Sequence, residues 1–181
     1  MDTADFDYEL PEARIAQHPV AERDSARLLV DQGPGQPPSH RIVRDLPGLL
    51  EPGDLLVVNT TRVLPARLPL RKATGGAAEV LLLERIDGST WEALVRPSRK
   101  LPGGTELRPP NGDADLRVVV GADLGNGRRH VELIVEGDEL AVLERHGLMP
   151  LPPYITETLA DPERYQTVFS DRPESAAAPT A

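Results

Sequence analysis

The chain has 181 residues, a formal net charge of −9 and no cysteine. The missing thiols exclude disulfides, thiolate metal sites and cysteine nucleophiles, and the acidic sum argues against a general nucleic-acid binder, whose phosphate contacts need lysine and arginine. Hydrophobic residues at 39% allow a sizeable core, but aromatics at 3% leave that core to Leu, Val and Ile.

The N-terminal MDTADFDYELPE is acidic and has no apolar stretch, so it does not read as a secretory signal. The longest apolar runs, 55–58 and 80–83, are far too short to span a bilayer. A cytoplasmic protein without a membrane partner is expected.

Nineteen prolines break the chain into short elements. A helical turn is expected near 12–16, a short strand at 26–30 and a second at 40–44. The intervening QGPGQPPS is a turn-forming loop. A helical turn at 45–50 ends at Pro52-Gly53. The strongly apolar run 54–59 predicts a buried strand. Segments 78–86 and 90–95 flank Asp87-Gly88, a hairpin signal. Further strands are expected at 106–108, 115–120 and 128–136, separated by PPNGD and GADLGNG. Short strands at this spacing suggest a small sheet closing into a barrel. The best helix candidate is 138–146, with Leu140, Val142 and Leu143 on one side and Gly147 just past its end. A polar stretch follows, with a strand expected at 165–170.

Charge is unevenly placed. Residues 62–108 hold nine Lys/Arg against five Asp/Glu, a basic segment in an acidic chain. Within it, RPSRK sets Arg96, Arg99 and Lys100 in five residues; the arginines can grip phosphates and the lysine adds a point charge. An exposed basic loop without a partner is the alternative. Asn59, Thr60, Thr61 and Arg62 follow the apolar run, where a polar cluster is either a ligand site or a satisfied turn. Tyr154, in LPPYI, can stack on a base or pack under a linker. Tyr165, Gln166 and Thr167 form a polar trio suited to a base edge or to an ordinary strand. The four histidines (18, 40, 130, 146) show no metal-ligand spacing. There is no G-x-G-x-x-G loop after a strand, and no nucleophile elbow.

Several segments fall together: FDYELP, IAQHP, ERDSARLLV, GDLLVVNTTRVLPARL, EVLLL, WEALVRPSRK, MPLPPYI, ERYQTV and AAPTA. In this order and spacing the chain resembles the S-adenosylmethionine:tRNA ribosyltransferase-isomerase family along its whole length. Two departures stand out. Family members carry Asn-Asn, Asn-Asp or Asn-Ser where this chain has Asn59-Thr60. In the family AAPTA continues into Gly-Leu-His-Phe-Thr, whereas this sequence stops at Ala181; the resemblance thus implies an enzyme about twice this long, of which half is expected to be absent.

The resemblance implies a β-rich mixed α/β fold. Residues 1–62 and 137–181 would form part of an incomplete main α/β domain, with 63–136 an inserted antiparallel β-barrel. It implies transfer and isomerisation of the ribosyl part of S-adenosylmethionine onto 7-aminomethyl-7-deazaguanine in tRNA, giving epoxyqueuosine and releasing adenine and methionine. S-adenosylmethionine is then a co-substrate and no prosthetic group is expected; the whole protein would be a monomer acting on the wobble position of an anticodon arm. Substrate contacts fall on Asn59, Thr60, Thr61, Arg62, Tyr154, Tyr165, Gln166, Thr167, Pro179 and Thr180, and tRNA contacts on Arg96, Arg99 and Lys100. His18 and Asp24 are the candidates for base or orienter, with the base itself unassigned. A non-catalytic RNA-binding barrel is the alternative.

Overall fold

The structure, a computed structural model, describes residues 2–175. It divides into two units. The first runs to Val57 and takes in Pro152–Ala160; the second is Val58–Leu151 with the residues from Asp161 onward. In the first unit β1 (Arg27–Val30) and β2 (Ser39–Ile42) pair antiparallel, joined by the Gly- and Pro-rich loop. Short 3-10 turns cover Thr3–Phe6, Glu12–Arg14, Arg23–Ser25 and Val43–Leu49. None of this unit's described residues is fully buried.

The run 54–59 is not the buried strand its composition predicts. It has no regular structure, and Leu55 is 87% and Val57 75% exposed. Hydrophobicity alone does not make a strand: the ladder needs a neighbour, and no strand among the described residues pairs with this run. Segment 165–170 also departs from expectation. A 3-10 turn at Pro162–Tyr165, capped by Asp161, ends there and no strand follows until 172.

The second unit begins with β3 (Thr61–Val63), which pairs in parallel with β10 (Arg172–Ser175). Between them lie β4 (Arg67–Lys72), β5 (Ala77–Asp87), β6 (Thr90–Arg96), β7 (Glu106–Arg108), β8 (Leu116–Gly125) and β9 (Arg128–Val135). These six close into a barrel in the order β4-β5-β6-β9-β8-β7, all antiparallel.

The barrel follows from period-two side-chain alternation. Leu68 and Leu70, Val80 and Leu82, Trp91, Ala93 and Val95, Leu116, Val118 and Val120, Val131 and Leu133 all point inward and are buried. Each such large side chain contributes about 1.5–3 kcal/mol by leaving water. β8 runs past the expected Val120 because two register shifts let it bend through GADLG rather than stop. β4 escapes the sequence reading because Pro69 interrupts it. The proline is tolerated because β7 pairs only with Arg71 and Lys72, so Pro69 has a paired neighbour on one side alone.

Helix α1 (Glu139–His146) follows β9. Asp138 caps it, accepting a hydrogen bond from the Ala141 amide at 2.9 Å. Val142 and Leu143 join the barrel core, with Leu140 packed against it. The helix stops at Gly147, where the reason for glycine is space. A Cβ there would lie 1.9 Å from the Pro65 carbonyl oxygen. That close approach lets Leu148 exchange two backbone hydrogen bonds with Arg67, at 2.8 and 3.2 Å, and ties the helix exit to the start of β4.

Candidate functional site

β3 and the turn at Pro162–Tyr165 bring two of the sequence-predicted clusters together. Gln166 is 4% exposed and acts as the bolt. Its Oε1 accepts from the Val63 amide at 2.8 Å and its Nε2 donates to the Val63 carbonyl at 2.9 Å. This completes both backbone groups of a buried residue on the side of β3 that β10 leaves open. The Thr167 hydroxyl reaches the Asn59 carbonyl at 3.4 Å, and the Asn59 Oδ1 accepts from the Thr61 amide at 2.8 Å. The Thr60 carbonyl receives the Asp171 and Arg172 amides.

Arg62 and Glu163, 101 positions apart in sequence, form a two-pronged pair, with Nη1 to Oε2 at 3.0 Å and Nη2 to Oε1. The Arg62 guanidinium beside it holds the Glu163 carboxyl below its usual range, and Glu163 in turn raises Arg62. Asn59, Thr60, Thr61, Arg62, Tyr165, Gln166 and Thr167 therefore share one locality. Their roles there differ. The Gln166 amide is spent on backbone and Asn59 closes a turn, whereas Thr60 is exposed and Thr61, Arg62 and Thr167 are half-buried. Hydroxyls and a guanidinium on a rigid strand end can bind sugar hydroxyls and an anionic group.

The basic loop is separate. Arg96 ends β6, Ser98–Lys100 form a 3-10 turn, and Arg96, Arg99 and Lys100 are all exposed. The loop's shape rests on Arg129, which is 7% exposed. Its Nε donates to Ser98 Oγ at 3.2 Å, its Nη2 to the Ser98 carbonyl at 3.2 Å and its Nη1 to the Gly121 carbonyl at 3.1 Å, with Asp123 3.3 Å away. The sequence does not single this residue out. In RRH it looks like one more surface charge, and only the inward turn of that strand position distinguishes it from Arg128.

The remaining candidates lie in the first unit. Gln17 ties IAQHP to LPPYIT: its Nε2 donates to the Tyr154 carbonyl at 2.9 Å and its Oε1 accepts from the Thr156 amide at 2.9 Å. Tyr154 and His18 are exposed. Both oxygens of Asp24 accept from Arg44 at 3.0 Å, with Glu22 joining at 2.7 Å. The Arg44 hydrogen bonds hold the Asp24 carboxyl below its usual range, which makes it a weak proton acceptor. Pro179 and Thr180 lie outside the described residues.

Two further features do not coincide with the predicted residues. A pocket of about 410 Å³ beside Trp91, between Arg85 and α1, is lined by none of them. His146 lies 2.8 Å from Asp115 and 3.8 Å from Asp113, a grouping that sequence spacing does not reveal. Arg145 already pairs with Asp115, so the cluster reads as a clasp between α1 and the β7–β8 loop.

The family model for queuosine biosynthesis proteins matches residues 3–181. The S-adenosylmethionine:tRNA ribosyltransferase-isomerase of Moorella thermoacetica is 53% identical over 98% of this chain and 52% of its own length. That of Pelotomaculum thermopropionicum is 49% identical over 100% of this chain and 53% of its own. A solved S-adenosylmethionine tRNA ribosyltransferase from Thermotoga maritima is 45% identical, covering 71% of this chain and 44% of that one, with a TM-score of 0.34. The chain spans about half the length of the curated relatives it matches.

Proposed function

The chain belongs to the queuosine biosynthesis protein family, and on that premise we propose that it is part of an S-adenosylmethionine:tRNA ribosyltransferase-isomerase. The reaction moves the ribosyl group of S-adenosylmethionine to the aminomethyl nitrogen of 7-aminomethyl-7-deazaguanine at the wobble position, isomerises it to the epoxycyclopentanediol and releases adenine and methionine. The observation that carries this reading is the meeting of 59–62 with 163–167. Two motif segments far apart in sequence are bolted into one rigid polar locality by Gln166.

Thr60, Thr61 and Thr167 supply hydroxyls for the ribosyl group, and Arg62 supplies a cation for an anionic part of either substrate. Arg96, Arg99 and Lys100 hold the anticodon arm by its phosphates; none has an ion-pair partner among the described residues. S-adenosylmethionine is a co-substrate consumed in the reaction. A second reading, an RNA-binding barrel without catalysis, draws on the barrel's own closed core.

The discriminating experiment incubates the chain with adenine-labelled S-adenosylmethionine and tRNA carrying the precursor base. Adenine release that falls at least tenfold in Arg62→Ala, about 1.4 kcal/mol of transition-state stabilisation, supports the enzymatic role. Retained tRNA binding with no adenine release makes this chain a binding module when it acts alone, and neither binding nor release rejects both.

A further inference from the structure

The antiparallel register sorts the barrel's loops into two ends. Arg71 faces Ala77, Arg96 faces Glu79, Arg128 faces Leu94 and Glu106 faces Val119. The β4–β5 turn, the 97–105 loop and the β8–β9 turn therefore lie at one end. The β5–β6 turn, the β7–β8 loop and the exit of β9 into α1 lie at the other.

Charge separates the same way. The second end carries Asp87, Asp113, Asp115, Glu136, Asp138 and Glu139, with Arg85 and Arg145 as cations paired to Glu139 and Asp115. The first carries Lys72, Arg96, Arg99, Lys100 and Arg128, with Glu79, Asp123 and Glu106 as its acids and Arg128 paired to Glu92 at 3.0 Å. Those acids are already engaged, Glu79 by Arg67 at 3.4 Å, Asp123 by buried Arg129 at 3.3 Å and Glu106 by Arg117 at 3.0 Å. Beside this rim Arg71 stands directly opposite Arg108 across β4 and β7, both exposed. Glu106 lies 3.8 Å from Arg108, whereas Arg71 has no such partner among the described residues; like charges in direct register oppose strand pairing, so barrel stability does not account for Arg71. Arg71, Lys72, Arg96, Arg99 and Lys100 form no ion pair among the described residues.

We propose that this whole end of the barrel, and not the 96–100 loop alone, is an RNA-docking rim. Arg71 and Lys72 bind phosphodiesters beyond those held by Arg99 and Lys100, and buried Arg129 is the positioning residue that holds the central loop of the rim. The partner is the phosphate backbone of RNA. The separation of charge explains how a chain of net charge −9 meets a polyanion: the acidic end is repelled and the basic end turns toward it. The rim rests on the reading of the chain as part of a tRNA-modifying enzyme.

The test is a titration of fluorescently labelled tRNA with the full chain at several KCl concentrations. The variants are Arg71→Ala/Lys72→Ala, Arg99→Ala/Lys100→Ala and, as a control at the far end, Arg145→Ala. Removing one cation that neutralises a phosphate lowers the slope of log K against log salt by roughly 0.7–0.9. The rim variant is expected to flatten the slope about as much as the loop variant, with an unchanged or higher melting temperature because the Arg71–Arg108 repulsion is gone. The far-end control keeps the slope. A flattened slope in the loop variant alone, or an equal effect of Arg145→Ala, overturns the rim and leaves the tRNA reading standing. An unchanged slope in every variant rejects both.

Discussion

The Arg62–Glu163 pair couples the candidate substrate site to pH. Glu163 donates no proton to its partner; it accepts two hydrogen bonds from Arg62, and these stabilise its charged form. Its folded pKa is therefore depressed below its unfolded one. The sign follows from linkage: the stabilisation is present above the ordinary carboxylate value and is lost as pH falls through the folded value. Glu163 is largely exposed, so the effect is screened and small. Melting temperatures of the parent chain and Glu163→Gln are expected to differ at pH 7, with the parent higher, and to converge as pH is lowered through the range below the normal glutamate pKa. A difference that stays constant down to acid pH removes the pair from the account. The residue scale also shows why composition places these residues well and assigns their roles poorly. Polar clusters at 59–62 and 165–167 are visible as clusters. That Gln166 spends its amide on Val63 depends on a chain crossing that no local pattern encodes.

At the scale of elements, the barrel is legible in the sequence because alternation writes it directly. Trp91, Ala93 and Val95 face in while Glu92, Leu94 and Arg96 face out, and glycine marks the turn after Asp87. One strand is hidden and one expected strand does not form, by the same physics running the other way. β4 carries a proline at a half-paired position, and the apolar run 54–59 lacks the neighbour a strand requires. The helix is legible together with its end, but there Gly147 reads as a terminator chosen for conformation. Its φ of −94° is open to any residue, so the constraint is contact. Besides the Pro65 oxygen at 1.9 Å, an added Cβ meets the Leu143 carbonyl at 2.7 Å, and both are backbone. Gly147→Ala must displace the Arg67–Leu148 bridge, at a cost of about 3 kcal/mol by the upper range for overpacking. The expected result is a lower urea midpoint, read on Trp91 fluorescence. Gly35→Ala offers a contrast: an added Cβ there meets nothing within 4 Å, so only its positive φ of 77° opposes it. Equal losses at the two positions would show that steric contact at Gly147 does not decide the outcome.

At the scale of the whole molecule, the two units differ in what holds them. The second contains the continuous core from Leu64 to Leu143, so its backbone opens only when many buried side chains are exposed together. The first has no fully buried residue among those described, and it presents Phe6, Tyr8, Leu10, Leu55, Leu56 and Val57 to solvent. Apolar side chains left in water add nothing to the burial that holds a unit together. The physical consequence is unequal protection. In native-state hydrogen exchange, amides of β5, β6, β8 and β9 are expected to exchange slowest, near the global unfolding limit. Amides of 2–57 should exchange by local opening, faster by a factor of about 10 for each 1.4 kcal/mol of difference. Only β1 and β2, with four paired positions each, should show intermediate protection there. The barrel should keep its slow amides under mild denaturant that leaves 2–57 fully exchanged. Uniform protection from residue 2 to residue 175 would mean that the first unit is stabilised by something other than burial, and the division into a well-buried barrel and a sparsely buried first unit would not govern local opening.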